Sequence, residues 1–163
     1  MKGKKKWRLS KTLSRSLVVR QIDDADVKFA WAAYKKDGLS GIDFPKDLTP
    51  ILFKEQFENF VNSKANMAWT VVADGKPIGF ALGQWVQAFM FITGIAWFPW
   101  ASRRNIVEGT VCLFNSIRKQ FPVMGMANDE HRPLYEACCM HGIMRRIGKS
   151  DSVGRMTLFE VRQ

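Results

Sequence analysis

Asn128-Asp129-Glu130-His131-Arg132-Pro133-Leu134-Tyr135-Glu136 joins an expected strand to an expected helix. A short apolar run, residues 123–127, precedes it and has the length of one strand. From within it a helix over residues 130–140 is expected, closed by Gly142, the residue type that best tolerates the left-handed conformation past a helix end. Residues 143–147 and 155–161 then read as two further strands. Strand, helix, strand, strand makes the C-terminal part mixed α/β.

Working back from that stretch, Ser102 is the expected cap of a helix running to about Gln120, with Ile106, Val107, Thr110, Val111, Phe114 and Ile117 on one face and Pro122 as its stop. Before it, residues 67–73, 78–86 and 88–100 read as a three-stranded antiparallel meander, because Asp74-Gly75 between apolar runs is a strong hairpin signal. Thr49-Pro50 is an N-cap and N1 pair for a helix whose core face carries Leu52, Phe53, Phe57, Phe60 and Val61. Earlier still, residues 16–22 form a β-branched strand, and Asp23-Asp24-Ala25-Asp26 caps a helix bearing Val27, Phe29, Ala30, Trp31 and Tyr34 that ends at Gly38-Leu39-Ser40-Gly41. The predicted order is β-α-α-β-β-β-α-β-α-β-β, without internal repeats.

At 163 residues and 47% hydrophobic content, the chain has the size of one ordinary domain, able to bury about two-thirds of its unfolded surface. Its net charge of +10 is unevenly placed: Lys2, Lys4, Lys5, Lys6, Arg8, Lys11, Arg15 and Arg20 lie in the first 20 residues, which contain no acid. Removing those eight charges leaves +2 for the other 143 residues. Residues 1–16 therefore read as a basic arm, suited either to a polyanion or acidic surface or simply to solvation, and residues 17–163 as the folded domain. Nucleic-acid contact would fall to Lys2, Lys4, Lys5, Lys6, Arg8 and Lys11, neutralising phosphates without reading sequence. Cys112, Cys138 and Cys139 offer no disulfide framework, which implies a reducing compartment. The apolar run Leu17-Val18-Val19 is too short for a secretory signal, and no run approaches the ~20 residues of a membrane span, so a soluble protein is expected.

An Asn followed seven residues later by Tyr, as Asn128 and Tyr135 are, resembles the last conserved motif of the Gcn5-related N-acetyltransferases (GNAT), and Ile78-Gly79-Phe80 is similar to the family's second hairpin strand. The resemblance covers roughly residues 17–162. It implies a single α/β (α+β) domain with a mixed, mostly antiparallel central sheet and about four flanking helices. It also implies that acetyl-CoA lays its pantetheine arm along the splayed central strand, here residues 91–98, at Ala96, Trp97 and Phe98, with its pyrophosphate near Ser102, Arg103, Arg104 and Asn105 and with Asn128 close by. The family pattern there is Gln or Arg, two residues, Gly, one residue, then Gly or Ala. Counted from Arg104, the two glycine positions fall on Val107 and Gly109; counted from Arg103, on Ile106 and Glu108. A Cβ at such a position keeps backbone away from phosphate, and the guanidinium groups of Arg103 and Arg104 are the available compensation.

Tyr135 matches the family's acid for the departing thiolate, against the alternative of a core aromatic with a hydrogen-bonded tip. No acidic residue lies in 89–100 to act as base, which leaves Glu108, Asp129 and His131 near the expected site. Cys138 and Cys139 with His131 and His141 read more readily as small buried residues than as a metal centre, and no metal is expected. Three functional readings follow. The first is acetyl transfer from acetyl-CoA to a small-molecule or protein amine in a bacterial cytoplasm. The second is a non-catalytic member of the fold such as tailed bacteriophages encode, associated with a virion or another phage assembly. The third is a nucleic-acid module acting through the arm and compatible with either.

Overall fold

Asp74 and Gly75, with φ of +50° and +75°, make the tight turn whose twist matches that of the strands it joins. In the computed structural model, which describes residues 17–39, 41–42, 44–127, 131–150 and 156–161, this turn links β2 (Asn66–Ala73) to β3 (Lys76–Val86), and β4 (Phe89–Trp97) completes the meander. β1 (Leu17–Gln21) pairs antiparallel with β2 on its outer side. Helix α3 (Arg103–Ile117) crosses over to β5 (Val123–Ala127), which lies parallel to β4, since parallel neighbours need such a crossover. β7 (Met156–Val161) pairs with β5, and β6 (Met144–Ser150) pairs with β7. The sheet order is β1-β2-β3-β4-β5-β7-β6, antiparallel everywhere but between β4 and β5.

The sheet is buried on both faces. α1 (Val27–Asp37) and α2 (Pro50–Asn62) cover one face over Ala30, Phe53, Phe57, Phe80 and Leu82; α3 and α4 (Arg132–Met140) cover the other over Val71, Ile92, Leu113, Phe114 and Phe159. The expected caps form. Thr49 accepts from Leu52 N–H at 3.3 Å, Ser102 from Asn105 N–H at 3.1 Å, and Gly38 and Gly142 adopt φ of +68° and +73°. This is a single α+β domain with a GNAT-like mixed sheet and four α-helices.

Boundaries differ from expectation for local reasons. β4 stops at Trp97 rather than Trp100, because Pro99 has no N–H and the Phe98 carbonyl accepts from Ala101 N–H at 2.8 Å, closing a turn. α3 ends at Ile117 rather than Gln120, whose N–H bonds back to Ile117 O at 2.9 Å. β6 begins at Met144 and runs to Ser150, resuming its pairing with β7 past a bulge at Ile147. The arm, Asn128, Asp129 and Glu130 lie outside the described residues.

The acidic cluster before α1 does more than cap. Asp23 accepts from Ala25 N–H at 2.8 Å, but the Asp26 carboxylate turns inward and takes both Arg20 guanidinium nitrogens at 2.7 and 2.8 Å, the Thr70 hydroxyl at 2.7 Å and the Asp23 N–H at 3.0 Å. One carboxylate thereby ties β1, β2 and the start of α1 together.

Candidate active site

The ladder between β4 and β5 has three rungs, Met90 with Val123, Phe91 with Met124 and Ile92 with Gly125, and then ends although both strands continue. β5 stays registered on β7 through Ala127. β4 turns aside at a bulge: Leu82 and Gly83 oppose Gly94 and Ile92, leaving Thr93 without a rung, and its hydroxyl donates to Leu82 O at 3.2 Å. A bulge bends the strand that carries it, so the second half of β4 leaves β5. The result is a cleft of about 420 Å³, within the range of small-molecule sites. Ile95, Trp97 and Phe98 contribute from β4 and its end, Ala101 and Ile106 from the approach to α3 and its first turn, and His131, Leu134 and Tyr135 from α4 and its N-cap.

Strand parity decides which backbone groups face this gap. Phe98 N–H bonds to Ile78 O at 2.8 Å, so Ile78 and Phe98 form a hydrogen-bonded pair. Antiparallel alternation then commits Ala96, opposite Phe80, to β3 as well, and turns the N–H and C=O of Ile95 and Trp97 outward to the gap. Of Ala96, Trp97 and Phe98, only Trp97 has its edge groups in the crevice. The Ala96 and Phe98 side chains pack on the other face, under α1 and α2. Ile95, one residue before the expected run of three, takes their place by parity. Its carbonyl is met from the α1–α2 loop by Gly41, whose φ of +100° and missing Cβ permit the approach, while Gly41 O would lie 3.0 Å from a Cβ on Gly94.

The mouth of the cleft is the start of α3. Ser102 uses its hydroxyl for the cap, Ala101 and Ile106 beside it line the cleft, and the N–H groups that begin a helix favour an anion. Gly109 does not serve that role. A Cβ there would stand 2.8 Å from the Trp97 indole, so the glycine makes room for the tryptophan beneath α3. Arg104 is engaged by Glu108, Nε to Oε1 at 2.8 Å, which supplies the cation that a nearly fully buried carboxylate requires. Arg103 is exposed at the helix start.

Tyr135 stands on the buried side of α4, stacked on Phe159 at 5.1 Å between centroids and edge-on to Phe114 at 6.2 Å. Burial pushes its phenol well above the ordinary tyrosine range, with Cys138 adding in the same direction. Its hydroxyl hydrogen-bonds to no described residue. Cys138 is likewise buried, and burial, followed by the neighbouring Cys139, raises its thiol to about 12, far from a thiolate nucleophile. Among the described residues there is no group of three or more His, Cys, Asp or Glu side chains able to hold a metal, and no helix long and apolar enough to cross a membrane.

No family model matches the sequence, and no curated protein matches it significantly. Solved structures do match the fold. An aminoglycoside N-acetyltransferase, AAC(6')-Ib11, superposes with a TM-score of 0.70 at 12% identity over 91% of this chain and 96% of its own. The apo form of RimL, a ribosomal L7/L12 alpha-N-protein acetyltransferase, gives 0.69 at 8% identity over 91% of each chain. A Vibrio cholerae spermidine N-acetyltransferase in complex with CoA and spermine gives 0.66 at 11% identity over 91% of this chain and 96% of its own. At such identities the likeness is one of fold. The chain carries the N-acetyltransferase fold almost from end to end.

Proposed function

We propose that this protein is an acetyl-CoA-dependent N-acetyltransferase, and the divergence of β4 from β5 beyond Ile92 and Gly125 is the observation that carries the reading. Unpaired strand edge inside a folded sheet leaves backbone donors and acceptors that something must satisfy. A pantetheine arm is an amide-bearing chain of the right kind to do so, lying along Ile95 and Trp97 with its pyrophosphate at the start of α3 near Ser102, Arg103 and Asn105. The apolar cleft wall then surrounds the acyl end, and Tyr135, from α4, offers its proton to the departing sulfur. A neutral phenol in an apolar cleft is suited to that donation. CoA in one similarly folded enzyme supports the reading.

The acceptor is an amine, and the three similarly folded enzymes act on acceptors as different as an aminoglycoside, a ribosomal protein and spermidine. The basic arm, residues 1–16, is proposed to be a separate element from the domain of residues 17–163. Acetyl-CoA at about 100 times its dissociation constant adds roughly 2.7 kcal/mol to stability, so a rise of several degrees in melting temperature is expected. Commitment of Gly109 to Trp97 favours a second reading, a fold kept without its cofactor, as in a phage structural protein. Absence of any shift at millimolar acetyl-CoA selects that reading.

A further inference from the structure

Acetyl transfer needs a group to take a proton from the acceptor, and β4 carries no acid to do it. The walls facing α4 across the cleft are Ile95, Trp97, Phe98, Pro99, Ala101 and Ile106, none of which titrates in the relevant range. From α4 and its cap, His131 and Tyr135 line the same cleft. They are four residues apart at the start of one helix, a spacing that stacks two side chains on one face a single turn apart. His131 is exposed and Tyr135 buried, so an acceptor entering from solvent reaches the imidazole before the phenol.

We propose that His131 is the general base of the reaction, working one turn ahead of Tyr135 as general acid; this rests on the acetyl-CoA reading above. The acceptor nitrogen forms its bond to the acyl carbon and loses a proton to the His131 imidazole. The carbon–sulfur bond breaks, and the sulfur takes the Tyr135 proton. Solvent returns the proton from His131 to Tyr135. Imidazole is the side chain best matched to taking and giving a proton near neutral pH. One helix thus supplies both proton-transfer groups, which explains how the central strand dispenses with a carboxylate.

Bromoacetyl-CoA tests this without knowledge of the acceptor, since it presents an electrophilic carbon where the acetyl group would lie. The imidazole nitrogen displaces bromide and keeps the CoA-acetyl adduct, which peptide mass spectrometry locates. His131 and His141 are the only histidines, so H141Q, at the far end of α4, is the control. Stoichiometric alkylation of His131 is expected, prevented by excess CoA and reduced at least tenfold in H131Q, with H141Q unchanged. H131Q should keep the CoA-induced rise in melting temperature, and H131N provides a second variant should the first fold poorly. A CoA-induced rise with no adduct at His131, or with the adduct on Cys139, overturns the base assignment and leaves the CoA reading intact. No CoA-induced rise in the unaltered protein removes both.

Discussion

The chain has two tyrosines, both buried, and the structure uses them in opposite ways. Tyr34, 9% exposed on α1, has its hydroxyl saturated: it donates to Pro45 O at 2.7 Å and accepts from Leu48 N–H at 2.9 Å, fastening the α1–α2 loop. Tyr135, 8% exposed on α4, has a hydroxyl that bonds to no described residue and belongs to a side chain lining the cleft. Depth of burial does not separate the two tyrosines; the partners of the hydroxyl do.

Tyr135→Phe separates the two tyrosines by the largest expected effect. Loss of a positioned acid is expected to lower turnover 10²–10⁴-fold, while folding stability stays within about 0.5 kcal/mol because no bond to the described protein is lost. A large fall in melting temperature instead, with turnover untouched, would make Tyr135 a second Tyr34. On the other face, Arg20→Ala strands the Asp26 carboxylate and should cost about 3 kcal/mol, the low end for a broken buried pair because the Arg20 head is partly in water. Burial alone would raise the Asp26 pKa, but the bonds from Arg20, Asp23 N–H and Thr70 outweigh it and hold the carboxyl below its ordinary value. The stability it contributes is therefore complete above the ordinary carboxylate range and is lost as pH falls through the lower folded-state value. Acid unfolding monitored by circular dichroism should show Asp26→Asn flattening that slope.

Tyr34→Phe comes next, at about 2 kcal/mol, since it leaves Leu48 N–H and Pro45 O without their partner. Chemical denaturation measures the loss. The acetyl-CoA-induced rise in melting temperature should survive it.

Local chemistry made most of the fold legible. Asp74-Gly75, Thr49-Pro50, Ser102 and Gly142 each fix a turn or a helix end within a few residues, and element order follows from them. The tertiary consequences were less visible. Asp26 looks like one more cap residue until β1 and β2 bring Arg20 and Thr70 to it. Trp97, Phe98 and Tyr135 line the cleft, whereas the Ala96 side chain packs under α1 and α2. One bulged residue, Thr93, inverts parity for everything after it. The available signal was Gly94, an isolated glycine inside a strand pattern, which marks a bulge or a close backbone approach and here marks both.

The smallest effect concerns Cys138, one turn beyond Tyr135 on the same buried face. With its thiol at about 12, the thiolate fraction at pH 8 is on the order of 10⁻⁴, so iodoacetamide should label Cys138 in the native protein orders of magnitude more slowly than after unfolding. The thermodynamic counterpart has the opposite pH sense to that of Asp26. Because the folded pKa is raised, the stabilising contribution is complete below the ordinary thiol range near 8.5 and is lost as pH rises toward 12. Cys138→Ala should therefore change little in the pH profile below neutrality and should lessen the fall in melting temperature above about pH 9. Rapid labelling of Cys138 in the native state would mean that the α4 face opens to water, and the environment that keeps the Tyr135 phenol neutral would be lost with it.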